Sequence, residues 1–292
     1  MKEIKGIIVK ENASLKNLNT YKLESKAKYL IQVETLDGLI NVLKYLKENK
    51  IKCFILGAGS NIVIDEYFDG AVIKLCGLKN INIDHDMITC GAGSMMGNLA
   101  CTSVEHNLTG LEWAINIPGT VGGSIVGNAG AYNKEIFDSL VSIKVLDESL
   151  NVKELKKEEI KHTYRHTELK EKPWIVLEAT FKLEKGNKEE SLKLIEDRKI
   201  RRKATQPLDM PSAGSVFRNP ENDHAGRLIE AAGLKGKKIG GAMVSLKHAN
   251  FIVNTGTATS NDVKNLIKLV HTQVKEKFNV DLVLEQEIID WK

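Results

Sequence analysis

The residues of this chain with the most suggestive chemistry are two runs of glycine and small polar side chains. The first is Gly57-Ala58-Gly59-Ser60-Asn61. Residues without a Cβ let the backbone approach a ligand closely, and successive N–H groups in a turn converge on phosphate oxygens, with Ser60 and Asn61 adding side-chain donors. The run starts like the G-x-G-x-x-G dinucleotide fingerprint. Its third glycine position, however, is Ile62, and the segment that follows is strand-like, which argues against a Rossmann site. The second run, Pro118-Gly119-Thr120-Val121-Gly122-Gly123-Ser124, sits in a stretch with six glycines from Gly110 to Gly130 and continues into Asn128, Gly130, Ala131 and Tyr132. Either loop alone reads as a set of tight turns. Together they predict a clamp on one extended, pyrophosphate-containing cofactor.

Other chemistries have little support. Cys53, Cys76, Cys90 and Cys101 are widely spaced with no C-x-x-C pair, so neither a zinc ribbon nor a dithiol redox centre is expected, and all four are read as buried free thiols. The seven histidines contain no H-E-x-x-H arrangement, and no metal site is expected.

The elements that must hold the loops alternate irregularly. Leu39, Ile40, Leu43 and Leu46 recur at helical spacing between Asp37 and Asn49, which predicts an amphipathic helix. Strands are expected over Ile51–Leu56 and Ile62–Ile64, on either side of the first loop. Met95–His106 reads as a second helix leading into the glycine-rich stretch. Leu140–Leu146 and Trp174–Leu183 read as strands, and Glu189–Lys203 as a charged helix. Gln206, Pro207 and Pro211 then break the pattern and mark the start of a new lobe. A last helix is expected over Asn261–Phe278, capped by Thr259 or Ser260, before a strand-like run from Val280 to Ile289. No repeat of fixed period is present, and the total predicts an α+β protein with more than one lobe.

Composition adds bounds. At 292 residues the chain can bury a substantial core. Its net charge of +4 suits a small anionic ligand better than a polyanion such as nucleic acid. No stretch approaches a membrane span or a cleavable leader, so a cytoplasmic protein is expected.

At these residues the chain resembles the UDP-N-acetylenolpyruvoylglucosamine reductase, or MurB, family of peptidoglycan precursor synthesis. The similarity runs in family order through Asn19-Thr20-Tyr21, Ile55-Leu56-Gly57-Ala58-Gly59-Ser60-Asn61, Gly110-Leu111-Glu112, Ile117-Pro118-Gly119-Thr120-Val121-Gly122-Gly123 and Asn128-Ala129-Gly130-Ala131-Tyr132. It continues through Tyr164-Arg165, the run Pro211-Ser212-Ala213-Gly214-Ser215-Val216-Phe217-Arg218-Asn219-Pro220, then His248-Ala249-Asn250-Phe251 and Leu284-Glu285-Gln286-Glu287. The short connection after Arg165 resembles the variant without the longer substrate-covering insertion. Three positions depart from the family pattern: Glu24-Ser25 replaces a usual Gly-Gly pair, Arg218 a usual Lys, and Met243 a frequent Gln.

The resemblance implies a two-subdomain FAD-binding part of the vanillyl-alcohol-oxidase type over residues 1–205, rejoined by residues 281–292, and a C-terminal α+β substrate-binding domain over 206–280. It implies non-covalent FAD held by Tyr21, Leu56, Gly57, Ala58, Gly59, Ser60, Asn61, Pro118, Gly119, Thr120, Gly122, Gly123, Ser124, Asn128, Gly130 and Ala131. NADPH is the implied co-substrate and the enolpyruvyl ether of UDP-N-acetylglucosamine the implied substrate, contacted by Tyr164, Arg202, Arg218, Asn219 and Asn250. The implied catalytic residues are Arg165 for the carboxylate, Ser215 as proton donor and Glu287 as its helper. A monomer is expected. Two alternatives carry less weight: an alcohol or sugar oxidase of the same cofactor fold, and a nucleotide-binding module without catalysis.

Overall fold

A computed structural model describes residues 1–290. Positions 291 and 292, the end of the expected returning segment, lie outside the described residues. The chain separates into two compact units. One takes Met1–Lys10, Tyr29–Ala58 and Gly70–Ile200; the other takes Glu11–Lys28, Gly59–Asp69 and the chain from Arg201 onward.

The first unit holds two separate apolar clusters. In one, helix α1 (Leu36–Glu48) starts where the Thr35 side chain accepts from the Gly38 N–H, satisfying a donor that the first helical turn leaves open. Its Leu39, Val42 and Leu46 then pack with Ile31, Val33, Ala71 and Ile73. The other cluster surrounds Trp113, Phe137 and Phe181. It is backed by an antiparallel five-stranded sheet in the order Val152–Lys156, Leu140–Leu146, Ile175–Lys182, Met87–Gly91, Ile81–Asp84. Helices α2 (Met96–Glu105) and α3 (Val121–Val126) contribute Leu99, Ala100, Val121 and Ile125 to it. A further helix, α4, spans Lys188–Thr205.

The second unit packs α5 (Ala225–Ala231) and α6 (Ser260–Phe278) against the strands Lys238–Ile239, Ala242–Val244 and Ile252–Asn254. A reciprocal capping box between Thr259 and Asp262 opens α6, and Asn279 closes it in the left-handed conformation. The apolar stripe anticipated for this helix is buried at Val263, Leu266, Ile267, Val270 and Val274.

Three expectations need correction. The run Val280–Ile289 is a strand only at Glu287–Ile289, which pairs in parallel with Ile62–Ile64. Upstream, its backbone bonds go to Val216 and Arg218 instead of a continuous ladder. The second glycine run is not all turn, since Val121–Val126 forms α3; Gly122 permits that helix to pack closely, because a Cβ there would stand 2.9 Å from the Ala92 Cβ. Of the four free cysteines, Cys90 is buried, Cys76 half-buried, and Cys53 and Cys101 exposed. Cys53 lies on the edge strand of its sheet, and only Cys90, its thiol pushed up to about 11 by burial, has the inert interior setting expected for all four.

Candidate active site

Gly57 of the first run and Thr120 of the second lie side by side within the first unit. A Cβ on Gly57 would lie 2.8 Å from Thr120 Oγ1, so the closeness of the loops depends on the missing side chain. Thr120 is the N-cap of α3, its hydroxyl accepting from the Gly123 N–H at 3.3 Å. Lys74 Nζ donates to the Gly57 carbonyl at 2.5 Å, and burial lowers the pKa of this ammonium.

The loops differ in what they leave for a ligand. In the second, the N–H groups of Val121, Gly122 and Ser124 donate to the carbonyls of Ser94, Ala92 and Thr120. In the first, among the described residues, the N–H groups of Gly57, Ala58, Gly59 and Ser60 donate to no protein acceptor. Gly59 is buried at φ +64, where a Cβ would fall 2.1 Å from the Leu18 carbonyl. Asn128 adds an acceptor. Its Nδ2 donates to Glu135 Oε2 and the Thr163 carbonyl, while its Oδ1 is buried without a hydrogen-bond partner. Open backbone donors suit pyrophosphate oxygens, and an orphaned amide oxygen suits a heterocyclic N–H. This donor set fits a flavin dinucleotide.

Arg165 is built against the same loop. It turns the hairpin between His162–Thr163 and His166–Thr167 at φ +59, a costly conformation for a side chain of this size and one that is retained at functional sites. Its Nη2 donates to the Gly130 carbonyl at 2.5 Å and its Nη1 to the Asn128 carbonyl at 3.4 Å, and its guanidinium lies 4.9 Å from the exposed Tyr164 ring. The fork is therefore oriented before any ligand arrives. Gly130 and Ala131 open a two-residue hairpin turn with Tyr132 and Asn133 both at positive φ.

Ser215 and Glu287 belong to the second unit. Ser215 bridges Phe251 on one side, and two residues on Phe217 bridges Leu284 on the other, so the segment lies between two flanking chains. Among the described residues the Ser215 hydroxyl makes no hydrogen bond to the protein, which leaves its proton available. Glu287 N donates to the Asn61 carbonyl, and Asn61 Nδ2 donates to the Glu285 carbonyl. The end of the first loop is thereby fastened to the Glu287 strand.

Several anticipated ligand contacts carry structural duties. The carboxamide of Asn250 is buried, accepting from Phe217 N and donating to the Phe217 carbonyl. Asn219 Oδ1 accepts from Ala225 N at the start of α5. Arg202 Nε donates to Gln206 Oε1, and Arg218 N to the Val283 carbonyl. Tyr21 is fully buried with its hydroxyl donating to Gln286 Oε1. Leu56 and Ser124 are buried, whereas Pro118 is exposed. At the departure Glu24-Ser25 neither residue has positive φ, and Ser25 Oγ donates to the Asp65 carbonyl, so this backbone does not require glycine. Met243 is half-buried in the strand Ala242–Val244.

Two polar residues with evident duties were not singled out from sequence. One is Gln286, whose place opposite Glu285 and Glu287 in an alternating run was the available signal. The other is Glu112, which is buried and accepts from Thr109 Oγ1 at 2.6 Å, Gly110 N at 3.0 Å and Ser191 Oγ on α4 at 2.7 Å. Burial alone would push its carboxyl up, but the hydrogen bonds from Thr109, Ser191 and the loop backbone outweigh burial and hold it below its ordinary value. A depressed carboxyl contributes stability above its unfolded-state value of about 4.3 and loses it as pH falls through the folded value. Glu112→Gln is therefore expected to cost about 1–3 kcal/mol at pH 7. In urea titrations the gap to the parent protein narrows below pH of about 4.3; a gap independent of pH would contradict the assignment.

Comparison with known proteins agrees with this geometry. Residues 206–289 match the model of the UDP-N-acetylenolpyruvoylglucosamine reductase C-terminal domain, and residues 27–155 that of an FAD binding domain. The chain is 46% identical over 282 residues to a UDP-N-acetylenolpyruvoylglucosamine reductase of Caldanaerobacter subterraneus, covering 96% of this chain and 93% of that one. It is 41% identical to the enzyme of that name from Lactobacillus acidophilus, with 97% and 96% covered. The crystal structure of MurB from Thermus caldophilus superposes with a TM-score of 0.82 at 33% identity, covering 97% of this chain and 99% of that one. With two domain models in series and near-full-length relatives on both measures, the chain belongs to the UDP-N-acetylenolpyruvoylglucosamine reductase family.

Proposed function

We propose that the protein reduces the enolpyruvyl ether of UDP-N-acetylglucosamine to UDP-N-acetylmuramate with electrons from NADPH, in peptidoglycan precursor synthesis in the cytoplasm. The observation that carries this reading is Arg165: a guanidinium held ready by the Gly130 and Asn128 carbonyls, on the loop whose neighbours fit a flavin dinucleotide. Among the described residues no helix is long and apolar enough to cross a membrane.

FAD would be held by the first loop, Leu56 to Asn61, and by Tyr21, Pro118, Gly119, Thr120, Gly122, Gly123, Ser124, Asn128, Gly130 and Ala131. In domain terms, residues 1–205 with 281–292 serve the cofactor and 206–280 serve the sugar. When bound, FAD supplies the two-electron chemistry that no amino-acid side chain carries, between NADPH and the terminal carbon of the enolpyruvyl group. The chain's own residues handle charge and proton. Negative charge builds on the substrate carboxylate and the adjacent carbon, and Arg165 stabilises it through a planar fork of donors. Ser215 Oγ gives its proton to that carbon, and the Glu287 carboxyl assists the transfer. Tyr164, Arg202, Arg218 and Asn219 line the path of the nucleotide sugar, Asn250 serves it by holding the Phe217 backbone beside Arg218, and NADPH and sugar take turns at the same site. The monomer is the working form.

The test is a visible spectrum of the purified protein and NADPH consumption on addition of the enolpyruvyl UDP-sugar. A colourless protein that takes up no flavin, or one that passes NADPH electrons only to oxygen, would contradict the reading. Gly130→Ala probes the Arg165 seat. The new Cβ would fall 2.3 Å from the Lys134 carbonyl oxygen and 2.9 Å from Arg165 Nη1. Turnover on the sugar is expected to drop by about 100-fold, the effect of about 1 Å of misplacement, with a thermal shift reporting about 1–3 kcal/mol of overpacking. Parent-like turnover would show that the carbonyl seat does not matter.

A further inference from the structure

Gln286 stands beside Glu287 in the chain. It is 2% exposed, and every hydrogen-bonding atom of its carboxamide is engaged. Oε1 accepts from the Tyr21 hydroxyl at 3.0 Å, and Nε2 donates to the carbonyls of Ala213 and Gly214, each at 3.1 Å. Those carbonyls belong to the two residues that precede Ser215. Gly214 has φ +76 with open space where a Cβ would be, and the chain there is outside any helix or ladder strand. The bridge to Phe251 ties the Ser215 backbone on one side, and the Gln286 amide adds a hold on the Gly214 carbonyl, in the peptide unit whose orientation sets the direction of the Ser215 side chain. A carboxamide can flip end for end, and a flip here would face its oxygen to two carbonyl oxygens. The Tyr21 hydroxyl selects the orientation; burial raises its pKa, so it remains a phenol and a donor.

We propose that Gln286 is a positioning residue for the reaction, aiming Ser215 through the Gly214 carbonyl, and that Tyr21 fixes the amide in its working orientation. The inference rests on Ser215 as the proton donor of the proposed reduction. It also gives Tyr21 a role that does not require contact with a cofactor.

The test separates the half-reactions by stopped flow in the flavin-loaded protein. Gln286→Met keeps the length and removes both donors and the acceptor. Reoxidation of the NADPH-reduced protein by the enolpyruvyl UDP-sugar is expected to slow about 100-fold, with flavin reduction by NADPH changed less than about threefold and the solvent deuterium isotope effect on reoxidation increased, because proton transfer becomes slower relative to the other steps. In a Ser215→Ala background the same substitution is expected to add less than about threefold, since residues acting through one group are not additive. Tyr21→Phe leaves both Nε2 bonds in place and is expected to slow reoxidation by the sugar about tenfold; it carries the test if Gln286→Met does not fold. Effects of Gln286→Met and Ser215→Ala that multiply, or equal slowing of both half-reactions, would overturn the positioning role. A Ser215→Ala protein that reoxidises at the parent rate would overturn the Ser215 assignment itself, an outcome distinct from either.

Discussion

Ser215→Ala is expected to leave flavin reduction by NADPH near its parent rate while slowing reoxidation by the enolpyruvyl UDP-sugar by about 10²- to 10⁴-fold, the range for loss of a positioned general acid. The asymmetry follows from where the hydroxyl acts. Electron entry from NADPH needs no proton from Ser215, whereas the carbon next to the ether oxygen must be protonated before the product forms. The hydroxyl has no protein hydrogen-bond partner among the described residues and lies on a segment tied on one side to Phe251 and on the other to the Leu284 chain. Alanine therefore removes the proton without disturbing a local network, and melting temperatures should agree within a few degrees. Stopped-flow traces of the two half-reactions decide the matter. Equal loss in both, or loss in neither, would remove Ser215 from the chemistry.

Arg165→Met carries the second large effect. Measured losses of one aimed donor at a developing oxyanion are about 2.7–4 kcal/mol, about 10²- to 10³-fold in rate, and Arg165 presents a fork of donors. The variant should lose at least this much kcat/KM for the sugar, with kcat falling more than KM rises, because the charge it meets is largest in the transition state. Arg165→Lys should recover only part of the loss. A lysine ammonium is a point charge on a flexible stem and cannot hold the Gly130 and Asn128 carbonyls while meeting a carboxylate in plane. A methionine variant within tenfold of the parent would make Arg165 a structural residue of its hairpin. A lysine variant at full activity would show that charge alone suffices.

These two variants and Gln286→Met form a graded series. In the proposed reaction Arg165 and Ser215 act on the substrate, and Gln286 acts on Ser215. Their separation depends on measuring half-reactions, since steady-state turnover would merge a loss of cofactor with a loss of proton transfer.

Sequence by itself determined the helices whose apolar spacing is regular and whose ends carry capping residues. Thr35 before α1 and the Thr259–Asp262 box before α6 are local signals that act within one turn. The strand Leu140–Leu146 was legible for a similar reason, its apolar and β-branched residues interrupted only by Ser142 and Lys144. The small-residue loops announced a phosphate-binding chemistry from composition alone. Tertiary structure decided which backbone donors stay open, because that depends on partners distant in the chain: Val121 and Gly122 donate to Ser94 and Ala92, while Gly57 and Ala58 donate to no acceptor among the described residues. It decided that Val280–Ile289 is mostly not a ladder strand, since the partners of that run lie at Val216 and Arg218, about 70 residues away in sequence. It also decided that Asn250 grips a backbone and that Gln286 joins Tyr21 to the Gly214 carbonyl. A buried amide reads in sequence like any exposed one. Only the fold, by removing water, turns its hydrogen bonds into constraints on the backbone they hold.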